Sequence, residues 1–397
     1  MPPGPMPMSE QDPALVSGHA PEAVLVPGSL DELRALVAAP GRLTLVPSGG
    51  RTALDLGDAP ARPFALLDLR HALRGELDHQ ADDLTLVAPA AMTLAEIDAA
   101  LRPSGQFLPL DPPLAPSATI GGVVGAGAGG PLRTRYGLPR DAVIGMTILR
   151  ADGELVRAGG RVVKNVTGYD MMRLWCGSFG TLGVITSVAL RVLPRPDTTD
   201  LAADLAGGSP AALAARLAAA DIRPEILDII VADGHTSAFL RVHALAADAA
   251  VRATPALHWK PAAPAMYEFA RDAGAGPETA LAIRIAALPS HVDGLLAALR
   301  EHGPTEVVAR PFAGSIRAAW SAPDLPPLRI IAPTVEALRT QVRGEGGSVL
   351  IERMPHTFRG GLDVWGEPPP AFDLMRRTKD AYDPGGRFSA GRFVGGI

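Results

Sequence analysis

Two glycine-rich segments, separated by residues 131–176, constrain what this chain can fold into. The first, PSATIGGVVGAGAGG, occupies 116–130, and the second, GSFGTLGVIT, occupies 177–186. Because glycine has no side chain, backbone amides in such segments can approach a phosphate group closely. The two segments therefore predict a binding site for an anionic, phosphate-bearing ligand.

A nicotinamide-dinucleotide site is one candidate, because Gly125, Gly127 and Gly130 have the spacing G-x-G-x-x-G. That fingerprint binds a dinucleotide where a strand precedes it and a helix begins inside it, because the helix N-terminus then binds the pyrophosphate. Here Pro131 follows directly, and residues 131–141 lack apolar periodicity. The context disfavours a nicotinamide site. A glycine-rich loop without a ligand is a second alternative.

Composition narrows the class of protein. A net charge of −5 and a pI near 6.0 argue against a nucleic-acid surface. The single cysteine, Cys176, excludes an internal disulfide, suits a reducing compartment and is expected to be a small buried hydrophobe. We expect a disordered tail over 1–17, no membrane span and a cytoplasmic location, with peripheral attachment to the inner membrane through partners left open.

The N-terminal half predicts alternating strands and helices. Ser29 with Glu32, and Thr93 with Glu96, have the spacing of helix-capping pairs. Asp152-Gly153 is typical of a hairpin turn within 143–159. The predicted strands lie at 23–27, 43–46, 84–89, 106–110 and 183–194.

A composition shift at 195–210 indicates a domain boundary. Beyond it, helices are predicted over the alanine-rich stretches 201–221 and 244–253, from Ser290, and over 334–342. The apolar face of the helix from Ser290 consists of Val292, Leu295, Leu296 and Leu299. Strands are predicted at 237–245, 280–288, 305–309, 329–333 and 348–353. This pattern favours an α+β fold with an antiparallel sheet covered by helices on one face.

Four linked blocks carry a family resemblance: 47–57, 108–122, 135–156 and 160–196. In order and spacing they resemble the FAD domain of the p-cresol methylhydroxylase and vanillyl-alcohol oxidase superfamily, over roughly the first 195 residues. KNVTGYDMMRLWCGSFGTLGVIT (164–186) resembles more narrowly the FAD-binding E subunits of bacterial glycolate oxidases. KDAYDPGGRFSAGRF (379–393) is similar to the segment with which this superfamily returns to its flavin domain.

The resemblance implies a domain plan and an activity. It implies a two-part FAD-binding domain over 18–196, an α+β cap domain over 197–368 and a returning C-terminal segment over 369–397. It also implies an FAD-dependent oxidoreductase in a glycolate-oxidising complex, with a sister FAD subunit and an iron–sulfur subunit as partners. In such complexes a hydride leaves C2 of the 2-hydroxy acid for flavin N5, and electrons pass to the iron–sulfur subunit.

The first loop, after the strand at 43–46, offers amides, a hydroxyl and a cation suited to a pyrophosphate. Some relatives place a flavin-linked histidine there, but residues 47–57 contain none, so we expect non-covalent FAD. The loop residues and the other positions to which the resemblance assigns cofactor contacts are Pro47, Ser48, Gly49, Gly50, Arg51, Thr52, Asp111, Pro112, Pro116, Ser117, Thr119, Ile120, Gly121, Gly122, Gly180, Thr181, Gly183, Val184 and Ile185.

Two sets of polar residues each allow two interpretations. The cluster Lys164, Asn165, Tyr169 and Asp170 is either a hydrogen-bonded surface loop or a contact with flavin or a partner. Three arginines nearby in sequence could pair with a phosphate or a substrate carboxylate, or lie in a solvated loop. These are Arg133, Arg135 and Arg140.

Complete hydroxy-acid dehydrogenases of the superfamily have a site in the cap domain that holds a metal and a catalytic base. It is marked by the sequence His-Gly-Asp-Gly-Asn-x-x-His and a later Glu-His-Gly-x-Gly. Here His235 and His243 lack the intervening pattern, and His302 with Gly303 is interpreted as the end of a helix. No metal ligand or catalytic residue is therefore assigned, and a sister chain is expected to do most of the oxidation. A self-sufficient FAD enzyme with another substrate and a non-catalytic scaffold are the alternatives.

Overall fold

The computed structural model describes residues 15–61, 63–161 and 170–397. Most of the tail predicted over 1–17 lies outside these residues. Val16 and Ser17, which we placed in that tail, are buried instead. Ser17 donates hydrogen bonds to Leu54 O (3.0 Å, from its backbone amide) and Gly57 O (2.8 Å, from its hydroxyl).

Two small sheets form the N-terminal half. The first is parallel, in the order β1-β3-β2, and α1 connects β1 to β2. The second is antiparallel, in the order β4-β5-β9-β7-β8, and a short β6–β10 pair lies beside it. The strands are β1 (Ala23–Leu25), β2 (Thr44–Ser48), β3 (Phe64–Asp68), β4 (Asp78–Gln80), β5 (Thr85–Pro89), β6 (Gln106–Phe107), β7 (Val143–Leu149), β8 (Leu155–Gly159), β9 (Val184–Arg191) and β10 (Leu193–Pro194).

The helices of this half are short. They are α1 (Leu30–Ala38), α2 (Leu94–Leu101), α3 (Ile120–Ala126), α4 (Arg133–Tyr136), α5 (Pro139–Ala142) and α6 (Met172–Trp175). Thr93 and Glu96 form the predicted capping box at the start of α2, and the predicted β7–β8 hairpin is present. The stretch that we predicted as a glycine-rich loop contains α3. Its buried residues Ile120, Val123 and Val124 have helical spacing, and their packing outweighs the low helix propensity of the glycines.

An eight-stranded antiparallel sheet, here called the cap sheet, dominates the second half. Its strands run in the order β14-β11-β13-β12-β16-β17-β15-β18. They are β11 (Thr198–Asp204), β12 (Ile226–Ala232), β13 (His235–His243), β14 (Lys260–Pro261), β15 (Thr279–Ala286), β16 (Glu306–Arg310), β17 (Ser315–Ser321) and β18 (Ser348–Arg353). The α+β fold class is confirmed.

Helices cover one face of the cap sheet and build its main core. The predicted apolar face of α10, from Val292 to Leu299, is buried there. The helices of this half are α7 (Pro210–Ala219), α8 (Ala247–Ala253), α9 (Pro264–Asp272), α10 (Val292–Arg300), α11 (Leu328–Arg343) and α12 (Phe372–Tyr382). Helix α9 lies on the opposite face, where Ala270 packs with Phe239 and Val308.

Two secondary-structure predictions in this half are wrong. Residues 329–333, predicted as a strand, belong to α11, which contains Pro333. Ile331, Val335, Leu338 and Val342 recur at helical spacing and are all buried, so packing compensates for the proline. Residues 201–204, predicted as helix because of their alanines, are strand, since β11 pairs along its length with β13.

The C-terminal segment adds to the first sheet. Leu45 and Phe388 form a parallel bridge, and Phe388 is fully buried. Lys379, which belongs to α12, holds this segment in place through hydrogen bonds. Its buried Nζ donates to Asp383 Oδ2 (2.6 Å), Thr181 O (2.7 Å) and Phe388 O (2.8 Å). The ammonium group therefore joins the C-terminal segment to the second glycine-rich segment, at Thr181.

Replacing Lys379 with Met should destabilise the protein by about 3 kcal/mol, because it leaves the buried Asp383 carboxylate without its countercharge. Thermal and urea unfolding will measure the loss. Lys260→Met is the matched control, since Lys260 is exposed, and it should change stability by less than about 0.5 kcal/mol. Equal stability of the two variants would contradict a stabilising role for the Lys379 contacts.

Candidate cofactor site

A cleft lies where β2 and β5 end and β9 begins. Twelve of the predicted cofactor residues line it: Pro47, Ser48, Gly49, Gly50, Arg51, Thr52, Thr119, Gly121, Gly122, Gly180, Gly183 and Ile185. They come from three chain segments that are distant in sequence. The fold therefore brings both glycine-rich segments and the loop after β2 to one wall.

The loop after β2 and the residues before α3 are in close backbone contact. A Cβ atom on Gly50 would lie 2.0 Å from Ser117 O, and one on Gly49 would lie 2.1 Å from Thr119 Oγ1. The backbone amide of Gly50 donates to Thr119 Oγ1 (3.3 Å). Only glycine fits at Gly49 and Gly50 without moving one loop away from the other.

Polar and cationic groups face the cleft. The Ser48 hydroxyl and Arg51 Nε are buried and have no hydrogen-bond partner among the described residues. Arg51 Nη2 bonds Asp68 Oδ2 (3.0 Å). Burial would raise the pKa of Asp68, but hydrogen bonds from Arg70 and Arg51 hold it below its usual value. Asp68 thus remains ionised and holds Arg51 at the cleft wall.

These groups fit a phosphate-bearing cofactor. A phosphate oxygen can accept hydrogen bonds from the Ser48 hydroxyl and from Arg51 Nε, which lack partners in the described part of the chain. Arg392 adds a second cation at the same cleft. Burial, and then the charge of Arg359, lowers the pKa of Arg392 to about 10, so it is protonated at neutral pH.

Sequence reasoning missed several lining residues, among them Phe179, Gly125, Ala126 and Arg392. Phe179 lies inside the second glycine-rich segment, directly before Gly180, which was assigned to the cofactor. Its ring contacts Trp365 and Phe393, with centroids 4.9 Å and 5.2 Å away. Arg392 lies in the C-terminal segment that was predicted to return to the flavin domain, so the resemblance carried a signal for it.

Seven predicted residues do not line this cleft in the described part of the chain: Asp111, Pro112, Pro116, Ser117, Ile120, Thr181 and Val184. Ile120 and Val184 are buried in the core. Thr181 Oγ1 donates to Ser178 O (2.7 Å). Ser117 acts through its carbonyl, which lies against Gly50. Their assigned contacts with the cofactor remain predictions.

Asp111 and Pro116 line a second cavity between the N-terminal half and the cap sheet. The Asp111 carboxylate accepts hydrogen bonds from Tyr267 Oη (3.0 Å) and from the backbone amide of Leu132 (3.0 Å). Burial raises the pKa of Asp111 to about 7. This carboxyl group is therefore partly protonated at neutral pH.

The polar residues for which two interpretations were open lie in different environments in the structure. Lys164, Asn165 and Tyr169 lie outside the described residues, and Asp170 forms an ion pair with Arg173 (2.6 Å). Arg140 is exposed beside Asp141, and Arg135 Nε lies 4.0 Å from Glu225.

Arg133 is partly buried, and burial, with the charges of Arg284, Arg310 and Arg317, lowers its pKa to about 10. Cys176 is partly buried against the core and not fully buried as predicted. Burial raises the pKa of its thiol to about 12. His302 follows the end of α10, as predicted, and its carbonyl accepts a hydrogen bond from Trp320 Nε1 (3.0 Å). No group of three His, Cys, Asp or Glu side chains suited to a metal occurs among the described residues.

Residues 21–159 match the protein family described as FAD binding domain. The chain therefore carries an FAD-binding domain, and FAD is its cofactor.

Relatives with similar sequences are named as oxidases and dehydrogenases. Glycolate oxidase subunit GlcD of Bacillus subtilis (strain 168) is 36% identical over 181 residues, which are 45% of this chain and 38% of the relative. Glycolate oxidase subunit GlcE of Escherichia coli (strain K12) is 44% identical over 131 residues, which are 33% of this chain and 37% of the relative.

D-2-hydroxyglutarate dehydrogenase of Xanthomonas citri pv. viticola is 37% identical over 183 residues, 46% of this chain and 39% of the relative. The chain thus spans less than half the length of these relatives. Among solved structures, an alkyldihydroxyacetonephosphate synthase superposes with a TM-score of 0.65 at 14% identity, covering 93% of this chain and 77% of that one. This last similarity concerns the fold alone.

Gly50→Ala should lower FAD affinity about tenfold or more, because the added methyl group pushes the loop after β2 away from Ser117 and misaligns the cleft wall. FAD titration followed by fluorescence will measure the affinity. Gly344→Ala is the control, since Gly344 has open space at its Cβ and no positive φ. Unchanged affinity in Gly50→Ala would contradict the assignment of the cleft.

Asp111→Asn should remove the part of the pH dependence of the free energy of unfolding that is due to Asp111 in the wild type. Because the folded-state pKa is raised, the folded protein binds more protons than the unfolded chain between about pH 4 and 7, and stability falls as pH rises through this window. Over this pH window, we expect the free energy of unfolding of the wild type, relative to that of Asp111→Asn, to fall by at most about 4 kcal/mol. Urea unfolding at pH 5 and pH 8 measures it; a constant difference would show that Asp111 is ionised throughout.

Proposed function

We propose that this chain is the FAD-binding subunit of a complex that oxidises small 2-hydroxy acids, such as glycolate, and passes electrons to an iron–sulfur subunit. The observation that carries the proposal is the cleft formed by the loop after β2, the start of α3 and the start of β9. The FAD-binding match and the names of the relatives support it.

In this proposal, different residues of the cleft bind different parts of FAD. Ser48 and Arg51 offer donors for the pyrophosphate, and Arg392 adds positive charge. Gly121 and Gly122 leave room for the cofactor to pass. FAD is held without a covalent bond, since residues 47–57 contain no histidine. When bound, FAD supplies the acceptor for the hydride of the substrate, which carries both electrons of the oxidation.

The partners are part of the proposal. A sister FAD subunit and an iron–sulfur subunit would complete the complex, because two of the relatives are named as subunits of glycolate oxidase. In this proposal the sister chain does most of the oxidation, since the cap lacks the histidine-rich pattern of complete dehydrogenases. No helix in the described residues has the length and apolar character needed to cross a membrane.

A second candidate is a self-sufficient FAD dehydrogenase acting on another small acid. Buried charged residues on the cap sheet favour it, because Arg310, Arg317 and Glu352 lie on the sheet face opposite to the helical core. Such groups are able to bind and orient a charged substrate.

An anaerobic titration distinguishes the two. The FAD-loaded chain is titrated with glycolate, D-lactate and D-2-hydroxyglutarate while flavin absorbance is followed. The subunit proposal expects the flavin to stay oxidised in the isolated chain and to be reduced once the partner subunits are added. Reduction in the isolated chain would establish the self-sufficient enzyme, and no reduction in either preparation would contradict both candidates.

A further inference from the structure

A tight turn in the second glycine-rich segment contains a residue that its backbone geometry disfavours. Residues 178–181 form the turn, and the backbone amide of Thr181 donates to Ser178 O (3.0 Å). Both central residues have a positive φ, 56° at Phe179 and 67° at Gly180. Such turns favour Asn, Asp or Gly, because a left-handed backbone brings a Cβ atom close to a carbonyl oxygen. A phenylalanine at this position therefore costs free energy.

Hydrogen bonds hold the turn in this conformation. The backbone amide of Phe179 donates to Gly125 O (2.9 Å), in the first glycine-rich segment. Thr181 O accepts a hydrogen bond from Lys379 Nζ (2.7 Å). The surrounding structure thus fixes a strained residue. Strain that is fixed in this way is concentrated at ligand-binding sites and other functional sites.

Three aromatic rings, here called the aromatic cluster, meet at this turn. The Phe179 ring stacks on Phe393, with centroids 5.2 Å apart and 27° between the planes. It also contacts Trp365 in a T-shaped pair, at 4.9 Å and 83°. Trp365 and Phe393 contact each other at 4.8 Å. The cluster thus joins the N-terminal half, the segment after the cap sheet and the C-terminal segment.

Of the three rings, only Phe179 lines the cleft in the described part of the chain. It is partly buried, so part of its ring is open to the cleft. Trp365 supports the cleft indirectly, because its Nε1 donates to the carbonyl oxygen of Arg392 (3.2 Å), a lining residue. Trp365 and Phe393 therefore hold the ring that reaches the ligand space.

The rest of the cleft wall has no aromatic side chain among the described residues. Ser48 and Arg51 offer donors that suit a pyrophosphate, and most other lining residues are glycine, alanine or aliphatic. FAD carries a flat ring system on each side of its pyrophosphate. Flat rings bind side by side through offset stacking, and nitrogen heterocycles stack on aromatic side chains in this way.

We propose that the ring of Phe179 stacks on one of the two ring systems of FAD and positions the cofactor in the cleft. This inference rests on the assignment of the cleft to FAD in the proposed function. The turn at 178–181 presents the ring to the cleft, and Trp365 and Phe393 hold it there. Stacking on FAD explains an aromatic side chain at a position where glycine would cost less.

Titration of the flavin-free chain with FAD tests this contact. Phe179→Leu keeps an apolar side chain but removes the ring, so it should weaken FAD binding about five- to tenfold. Phe179→Tyr keeps the ring and should bind FAD within about twofold of the wild type.

Phe393→Leu is the matched control, because it makes the same change in the aromatic cluster at a residue that does not line the described cleft wall. Its FAD affinity should change by less than about twofold. Equal affinity in the wild type and Phe179→Leu would overturn the proposal. An equal loss in Phe179→Leu and Phe393→Leu would also overturn it, since the ring would then act through packing alone.

Thermal unfolding separates the cofactor contact from folding. Without FAD, Phe179→Gly should unfold at no lower temperature than Phe179→Leu, because glycine adopts a positive φ without strain. At one fixed FAD concentration, the rise in unfolding temperature should be smaller in both Phe179 variants than in the wild type and Phe393→Leu. Equal rises in all four proteins would contradict the contact.

The visible absorbance of bound FAD identifies which ring is stacked. If the isoalloxazine is the partner, the spectrum of bound FAD should shift in Phe179→Leu, because the neighbour of the chromophore changes. If the adenine is the partner, the spectrum should stay as in the wild type while the affinity still falls. A shifted spectrum with unchanged affinity would contradict a stabilising contact.

The two proposals fail differently. If Phe179→Leu loses FAD affinity but no hydroxy acid reduces the flavin, with or without partners, the ring contact is retained and the proposed function is wrong. If hydroxy acids reduce the flavin and Phe179→Leu binds FAD as tightly as the wild type, the function is retained and the ring contact is wrong.

Discussion

The contact between two backbones, at Gly50 and Ser117, is the constraint on which the site depends. The loop after β2 belongs to the parallel sheet, and Ser117 leads into α3, which packs against the antiparallel sheet. No side chain separates the two loops, since a Cβ atom on Gly50 would meet Ser117 O at 2.0 Å. The cleft is the space bordered by these joined loops and the start of β9. Glycine there serves the packing of protein on protein as well as the approach of a ligand.

Local chemistry made much of the N-terminal half predictable. The capping pair Thr93 and Glu96 and the turn at Asp152-Gly153 act over a few residues, so the sequence displays them directly. The errors occurred where tertiary packing outweighs local preference. Pro333 lies inside α11 because the buried face of that helix compensates for it, and the alanines of 201–204 are strand because β13 pairs with them. Helix α3 formed in a glycine run for the same reason.

The site was predictable in part. The loop at 47–52 follows a strand, and its residue types suit a phosphate, so pattern and chemistry agree there. The buried charged residues of the cap sheet were not predictable, since they come from different strands and no spacing in the sequence brings them together. Only the register of the cap sheet puts Arg310, Arg317 and Arg284 on one face.

The measurement that tests the central claim most directly is the flavin content of the purified chain. Absorbance near the flavin maximum gives the amount bound, and acid precipitation followed by chromatography of the supernatant identifies it. A cleft built for non-covalent FAD predicts one FAD per chain, all of it released into the supernatant as intact FAD. A colourless chain that takes up no added FAD, or flavin that stays with the precipitate, would contradict it.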